Sequence, residues 1–245
     1  MAPICLSLLA HPDDAEILCA GTLLRLRTLG WEVHLATLTA GDCGTTSEAP
    51  EAISARRRGE AERAAALLGA RYHCLEQKDG FVVYAEPALR RSIDLLRSIA
   101  PSLVFTHAPR DYHLDHEQTS LLARGASFLF AAKNASLLPL LAGSRIPHLY
   151  YCDPLEGRDP LGEPVTPTTY VDVSNVLDRK AELLACHESQ RDWLRAHHGT
   201  DEYLEAMRRH AAKRGAEIGV VAAEAFVQHR GHAYPEGDLL AELLG

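Results

Sequence analysis

The stretch Ile4-Cys5-Leu6-Ser7-Leu8-Leu9-Ala10-His11-Pro12-Asp13-Asp14-Ala15-Glu16 decides how the rest of the chain is read. Its apolar run over Ile4–Ala10 is too short for a helix and is ended by His-Pro, which predicts a buried strand. From Glu16 the apolar residues Ile17, Leu24 and Leu29 fall at helical spacing and stop at Gly30, a natural helix end. The same alternation continues outward. Strands are expected over Val33–Leu38, Tyr72–Leu75 and Ser102–Thr106, with helices over Ala52–Leu68 and Glu86–Ile99 between them. A β-α-β-α-β-α-β chain at these spacings predicts an α/β, Rossmann-like fold, a mostly parallel sheet with helices on both faces. Its expected strand order is 3-2-1-4.

The second half is less regular. Helices are expected over Leu114–Ala132, Asn175–Arg195 and Tyr203–Arg214, and strands over His148–Cys152 and Thr169–Val173. Between those strands, Asp153–Pro167 holds four prolines and reads as a loop. Neither repeats nor a linker interrupt residues 1–245, so a single domain is expected.

The 245 residues carry 25 Lys+Arg against 33 Asp+Glu, a formal net charge of −8. That charge lacks the basic footprint of a nucleic-acid binder and disfavours an anionic membrane surface. Neither a membrane-spanning stretch nor a secretory leader is expected. Six cysteines without any CxxC read as scattered reduced thiols, so a soluble, cytoplasmic protein is expected. Thirteen histidines are many for this length and raise the question of metal or proton chemistry.

Position answers it. His11-Pro12-Asp13-Asp14 follows the first predicted strand, and His107-Ala108-Pro109-Arg110-Asp111-Tyr112-His113-Leu114-Asp115-His116 follows the fourth. Ligands of open parallel sheets bind outside the carboxyl ends of the strands, where the strand order reverses. The first and fourth strands flank that point, so the two segments should meet. His11, Asp14 and either His113 or His116 would give a divalent ion two imidazoles and a carboxylate, leaving a position open for water. Asp13 is better placed as a general base on that water, and the remaining histidine can stabilise an oxyanion or protonate a leaving amine. Taken alone, His-Pro-Asp-Asp also reads as a turn in which an aspartate caps the next helix, and a lone HxDH is more often a polar stretch facing solvent. Their pairing at two strand ends supplies the specificity.

AHPDDAE followed about a hundred positions later by HLDH resembles the PIG-L/LmbE family of zinc-dependent N-acetylglucosaminyl deacetylases, which includes the bacillithiol and mycothiol pathway enzymes. Gly41–Gly44, Arg57-x-x-Glu60, Leu68-Gly69, Asp79-Gly80 and His187-x-Ser189-Gln190 agree with it. The resemblance implies Zn2+ held by His11, Asp14 and His116, Asp13 as general base, and His113 stabilising the tetrahedral oxyanion. It implies Asp115 orienting one of the histidines. Arg57 matches an arginine that helps hold substrate, although Arg56, Arg57 and Arg58 run together here. The implied activity is removal of an acetyl group from a small amino-sugar substrate, in a homo-oligomer. Ala15 stands where relatives often carry an acid, and Gln228–Tyr234 matches no shared motif. From that segment His229 or His232 could reach the active site, in the same chain or from a neighbouring subunit.

The rival readings are an amidase or deacylase of a thiol conjugate, glycolipid or glycopeptide, a non-haem iron oxygenase, and a non-catalytic Rossmann-like binding module. The iron reading suits two histidines and a carboxylate but usually sits on a β-barrel. The binding module is weakened by the lack of GxGxxG at the first helix. No role is expected for His34, His73, His148, His197, His198 or His210.

Overall fold

A computed structural model describes residues 2–141, 143–191 and 202–245. Its strands are Ile4–Leu9 (β1), Glu32–Thr39 (β2), Arg71–Gln77 (β3), Leu103–Thr106 (β4), His148–Cys152 (β5), Thr169–Asp172 (β6) and Ala223–Gln228 (β7). They form one sheet in the order β3-β2-β1-β4-β5-β7-β6. The strands from β1 to β5 pair in parallel, and β7 runs antiparallel to both of its neighbours. The expected 3-2-1-4 order is present, with its reversal between β1 and β4.

Both faces of this sheet are covered, which is why its central strands read as nearly continuous apolar runs. Cys5, Leu9, Val33, Leu35, Leu103 and Phe105 pack to one side. There they meet Ala20–Thr28 (α2), Pro50–Leu68 (α3) and the C-terminal helices. Leu6, Leu8, Ala36, Leu38 and Val104 pack to the other side, against Glu86–Ile99 (α4) and Leu114–Leu129 (α5). Neighbouring residues of one strand thus serve opposite cores.

Four expectations need correction. The helix expected over Glu16–Leu29 is two, Asp14–Leu18 (α1) and α2, broken at Cys19 with φ −144° and ψ 4°. The helix expected to reach Ala132 ends at Leu129. The helix expected over Asn175–Arg195 is regular only over Leu177–Ala185 (α6); it breaks at Cys186 and His187, and positions 192–195 lie outside the described residues, as do His197 and His198. After Glu202–Ile218 (α7), strand β7 and Leu239–Leu244 (α8) were not anticipated.

Strand β7 earns its place through Glu224. Its carboxylate accepts the Gly21 and Thr22 amides at 2.8 and 2.7 Å, two of the donors left over at the start of α2. The Lys180 ammonium, also buried, lies 2.6 Å away. A Cβ on Gly21 would stand 2.6 Å from the Val173 side chain, so only glycine lets α2 come this close.

Candidate metal centre

The loops leaving β1 and β4 are tied directly, for the Ala10 amide donates to His107 Nε2 at 3.0 Å. Beyond that tie, three ligand atoms converge. His11 Nδ1 lies 3.4 Å from Asp14 Oδ2 and 3.3 Å from His116 Nε2, and His116 Nε2 lies 3.5 Å from Asp14 Oδ1. All three residues are buried. A tetrahedral ion with bonds of about 2.0–2.1 Å needs donors about 3.3–3.4 Å apart. The donor set therefore fits a zinc-sized ion. Burial works against the Asp14 charge, but His116 holds the carboxyl well below its ordinary range.

A shell of carboxylates stands behind the histidines. Asp111 Oδ1 is 2.9 Å from His116 Nδ1, which fixes the ring and leaves Nε2 for the centre. Asp79 Oδ1 lies 3.1 Å and Asp115 Oδ2 3.4 Å from the far nitrogen of His11. Asp115 also accepts the Gly80 and Val82 amides. His107, fully buried, stacks on His116 with centroids 3.8 Å apart and touches Asp14 at 3.1 Å. Burial pushes its pKa down to about 4, so the ring is neutral.

Asp13 occupies a separate position. Its backbone is left-handed, at φ 106° and ψ −26°, and its side chain makes no capping bond. Such a conformation costs a non-glycine residue about 1–3 kcal/mol. The carboxylate is turned instead toward Tyr203 of α7, which donates at 2.5 Å, and toward Arg57, whose Nη2 is 3.5 Å away. Burial lifts the Asp13 carboxyl above its ordinary range, with Arg57 pulling against it.

Arg57 also donates to the Pro12 carbonyl at 2.8 Å. Among the three consecutive arginines it alone is buried and reaches the cavity: Arg56 faces Glu48 and Glu60, and Arg58 faces Glu76. A Cβ on Gly41 or Gly44 would stand 2.4 or 2.3 Å from its guanidinium, which explains the glycines in that loop.

His113 opens α5, and its Nδ1 accepts the Asp115 amide at 3.1 Å. The neutral ring must then carry its proton on Nε2, a donor. Burial and neighbouring His11 lower its pKa, which favours that neutral form. A cavity of about 700 Å³ opens onto His11, Asp13, Asp14, His113 and His116, with Arg57 in its wall.

All seven expected site residues thus gather at one place. Four more stand with them that carried no expected role: His107, Asp111, Asp79 and Tyr203. The first two lie within the quoted second segment, where a histidine directly after a strand and an acid five residues before His116 were available signals. Tyr203 had none, standing 190 positions from Asp13. His229 and His232 do not join the centre of their own chain. His229 Nδ1 is 2.9 Å from the Tyr151 hydroxyl, and His232 is exposed.

Known proteins resemble this chain in sequence and in fold. The sequence model of the PIG-L family, described as GlcNAc-PI de-N-acetylase, matches residues 6–127. The chain is 28% identical over 192 residues to the diacetylchitobiose deacetylase of Thermococcus kodakarensis, covering 74% of this chain and 67% of that one. It is 26% identical over 189 residues to the 4-oxalmesaconate hydratase of Pseudomonas putida, covering 74% and 71%. The N,N'-diacetylchitobiose deacetylase of Pyrococcus horikoshii, solved with an inhibitor, superimposes with a TM-score of 0.79 at 27% identity, over 97% of this chain and 89% of that one.

Proposed function

The chain belongs to the PIG-L family, and from that premise we propose that it is a zinc-dependent N-deacetylase that releases acetate from a small N-acetylglucosamine-containing substrate. The observation that carries the reading is the trio His11, Asp14 and His116 at zinc spacing, with a partly buried carboxylate outside the trio beside it on Asp13.

Bound by that trio, a zinc-class ion supplies Lewis acidity and lowers the pKa of water to about 7. The residues of the chain do the rest. Asp13 takes the proton of the attacking water, and Tyr203 and Arg57 hold its carboxylate in the required direction. Its lifted pKa suits a base, since a weakly basic carboxylate would bind the proton poorly. His113 presents Nε2–H to the oxygen of the former carbonyl as negative charge builds there. The proton then passes to the departing amine, and acetate leaves. The Arg57 guanidinium faces the same cavity and is positioned to bind hydroxyl or carbonyl oxygens of the substrate.

The hydratase relative supports a second reading, in which the same base and ion add water across a carbon–carbon double bond. Product analysis separates the two. Metal-loaded enzyme should release acetate from a panel of N-acetylglucosamine conjugates and leave unsaturated dicarboxylic acids unchanged. Hydration of such an acid without acetate release would overturn the deacetylase reading. Turnover only of longer acyl amides would move the protein to the amidase alternative.

A further inference from the structure

On another face of α5 from His116 lies a second cavity, of about 750 Å³. Its walls come from three parts of the chain. The α5 residues Gln118, Arg124 and Phe128 form one wall, Tyr84 of the segment before α4 the second, and His229 and Tyr234 after β7 the third. None of these is among the residues assigned to the metal centre.

Two features make this a built pocket. The first is its framework. Tyr84 is fixed by its amide, which donates to Gln118 at 2.7 Å, and Tyr234 by its hydroxyl, which donates to the Arg124 carbonyl at 2.8 Å. The His229 ring packs edge-on against Tyr234 with centroids 4.2 Å apart, and its Nδ1 meets the Tyr151 hydroxyl. The second feature is the Arg124 charge. Arg124 lines the cavity together with His229 and Tyr234, and burial holds the Tyr151 and Tyr234 hydroxyls above and the His229 ring below their ordinary ranges, so all three are neutral groups. Among the described residues no carboxylate lies within ion-pair distance of the guanidinium. Arg124 thus stands in the cavity wall with neutral side chains around it.

We infer that this cavity is a second small-molecule site, taking a ligand that joins a flat apolar ring to a single carboxylate or phosphate group. The ring stacks among Tyr84, Phe128 and Tyr234, and the anion pairs with Arg124. Gln118 and His229 offer hydrogen bonds to polar edges of the ligand. The volume suits a ligand of that size.

Benzoate and phenyl phosphate are the probes, titrated by ligand-observed NMR into zinc-loaded protein. Benzyl alcohol serves as the ring alone and inorganic phosphate as the anion alone. Either aromatic anion should bind at least tenfold more tightly than both controls, and the two arms tell carboxylate from phosphate. Arg124→Gln and Phe128→Ala should each weaken that binding at least tenfold while leaving the deacetylation rate unchanged. Binding that survives Arg124→Gln but is lost in His116→Ala belongs to the metal centre and overturns the inference. Absence of binding at millimolar concentration also overturns it. So does a fall in the mass of the protein in solution on Phe128→Ala, because the face would then be an interface between copies of this chain.

Discussion

The loop after β1 and the loop after β4 reach the same point by opposite means. The first needs only four residues, Ala10 to Asp13, and obtains its geometry from the backbone. Asp13 is held at φ 106°, and the His11 amide is closed onto Asp14 at 2.7 Å. Its side chains are steadied from far away, by Arg57 and Tyr203. The second loop is longer and steadies itself. Asp111 accepts the His113 amide and holds His116, Glu117 accepts the Asp111 amide, and His113 accepts the Asp115 amide. One loop is strained and dependent; the other is relaxed and locally bonded. Damage to the distant supports of the first should therefore fall on the chemistry, whereas damage to the supports of the second should fall on metal affinity.

The largest effect tests what the loops share. Asp14→Ala and His116→Ala each remove one of three protein ligands, so elemental analysis should find little zinc in either, with acetate release lost. If either variant retains full metal, that residue is no ligand. Next comes Asp13→Asn, which fills the same space without a base. Zinc content and fold should stay near native while kcat falls roughly a hundredfold or more. Loss of zinc from this variant would make Asp13 a ligand and erase the contrast between the neighbours.

Asp111→Asn sharpens the other side. Weakening the support of His116 should cost about 10–100-fold in zinc affinity, read by competition with a chelator, with kcat largely kept once metal saturates. A loss as complete as that of His116→Ala would mean the second loop has no graded support. The smallest effect belongs to Tyr203→Phe. Its hydroxyl stabilises the Asp13 carboxylate, so its removal raises the Asp13 pKa further. A base acts only when deprotonated, so kcat/KM is lost as pH falls through that pKa. In the variant this loss should begin at higher pH. An unchanged profile would leave Tyr203 a packing residue.

The sheet order and the meeting of the two loops were legible because both rest on local pattern: apolar runs of strand length, glycines at helix ends, and polar clusters at strand ends. The break at Cys19 was not, since α1 and α2 share one apolar spacing and only the approach of Glu224 to Gly21 separates them. Strand β7 was hidden because Ala223, Ala225 and Glu224 lack the β-branched signature and are held by tertiary contacts. For the candidate site residues, their gathering could be read but their supports could not. Asp115 was expected to orient a histidine and lies at the far nitrogen of His11, whereas Asp111 holds His116. Which acid faces which ring depends on the turn of the loop, and that turn is set by amides no sequence pattern displays.

The grip of Glu224 on α2 also sets an order of events at the ribosome. Gly21 and Thr22 emerge early, yet the carboxylate that accepts their amides lies 203 and 202 residues later. At ordinary rates of synthesis that interval lasts roughly 10–40 s. Throughout it the start of α2 lacks that acceptor, and for the 190 residues that separate them Asp13 lacks Tyr203. His11, Asp14 and His116, the proposed ligands, are all made by residue 116, well before Tyr203, which steadies the proposed base. On the proposed reading, the site would be complete only once the C-terminal elements have joined the sheet.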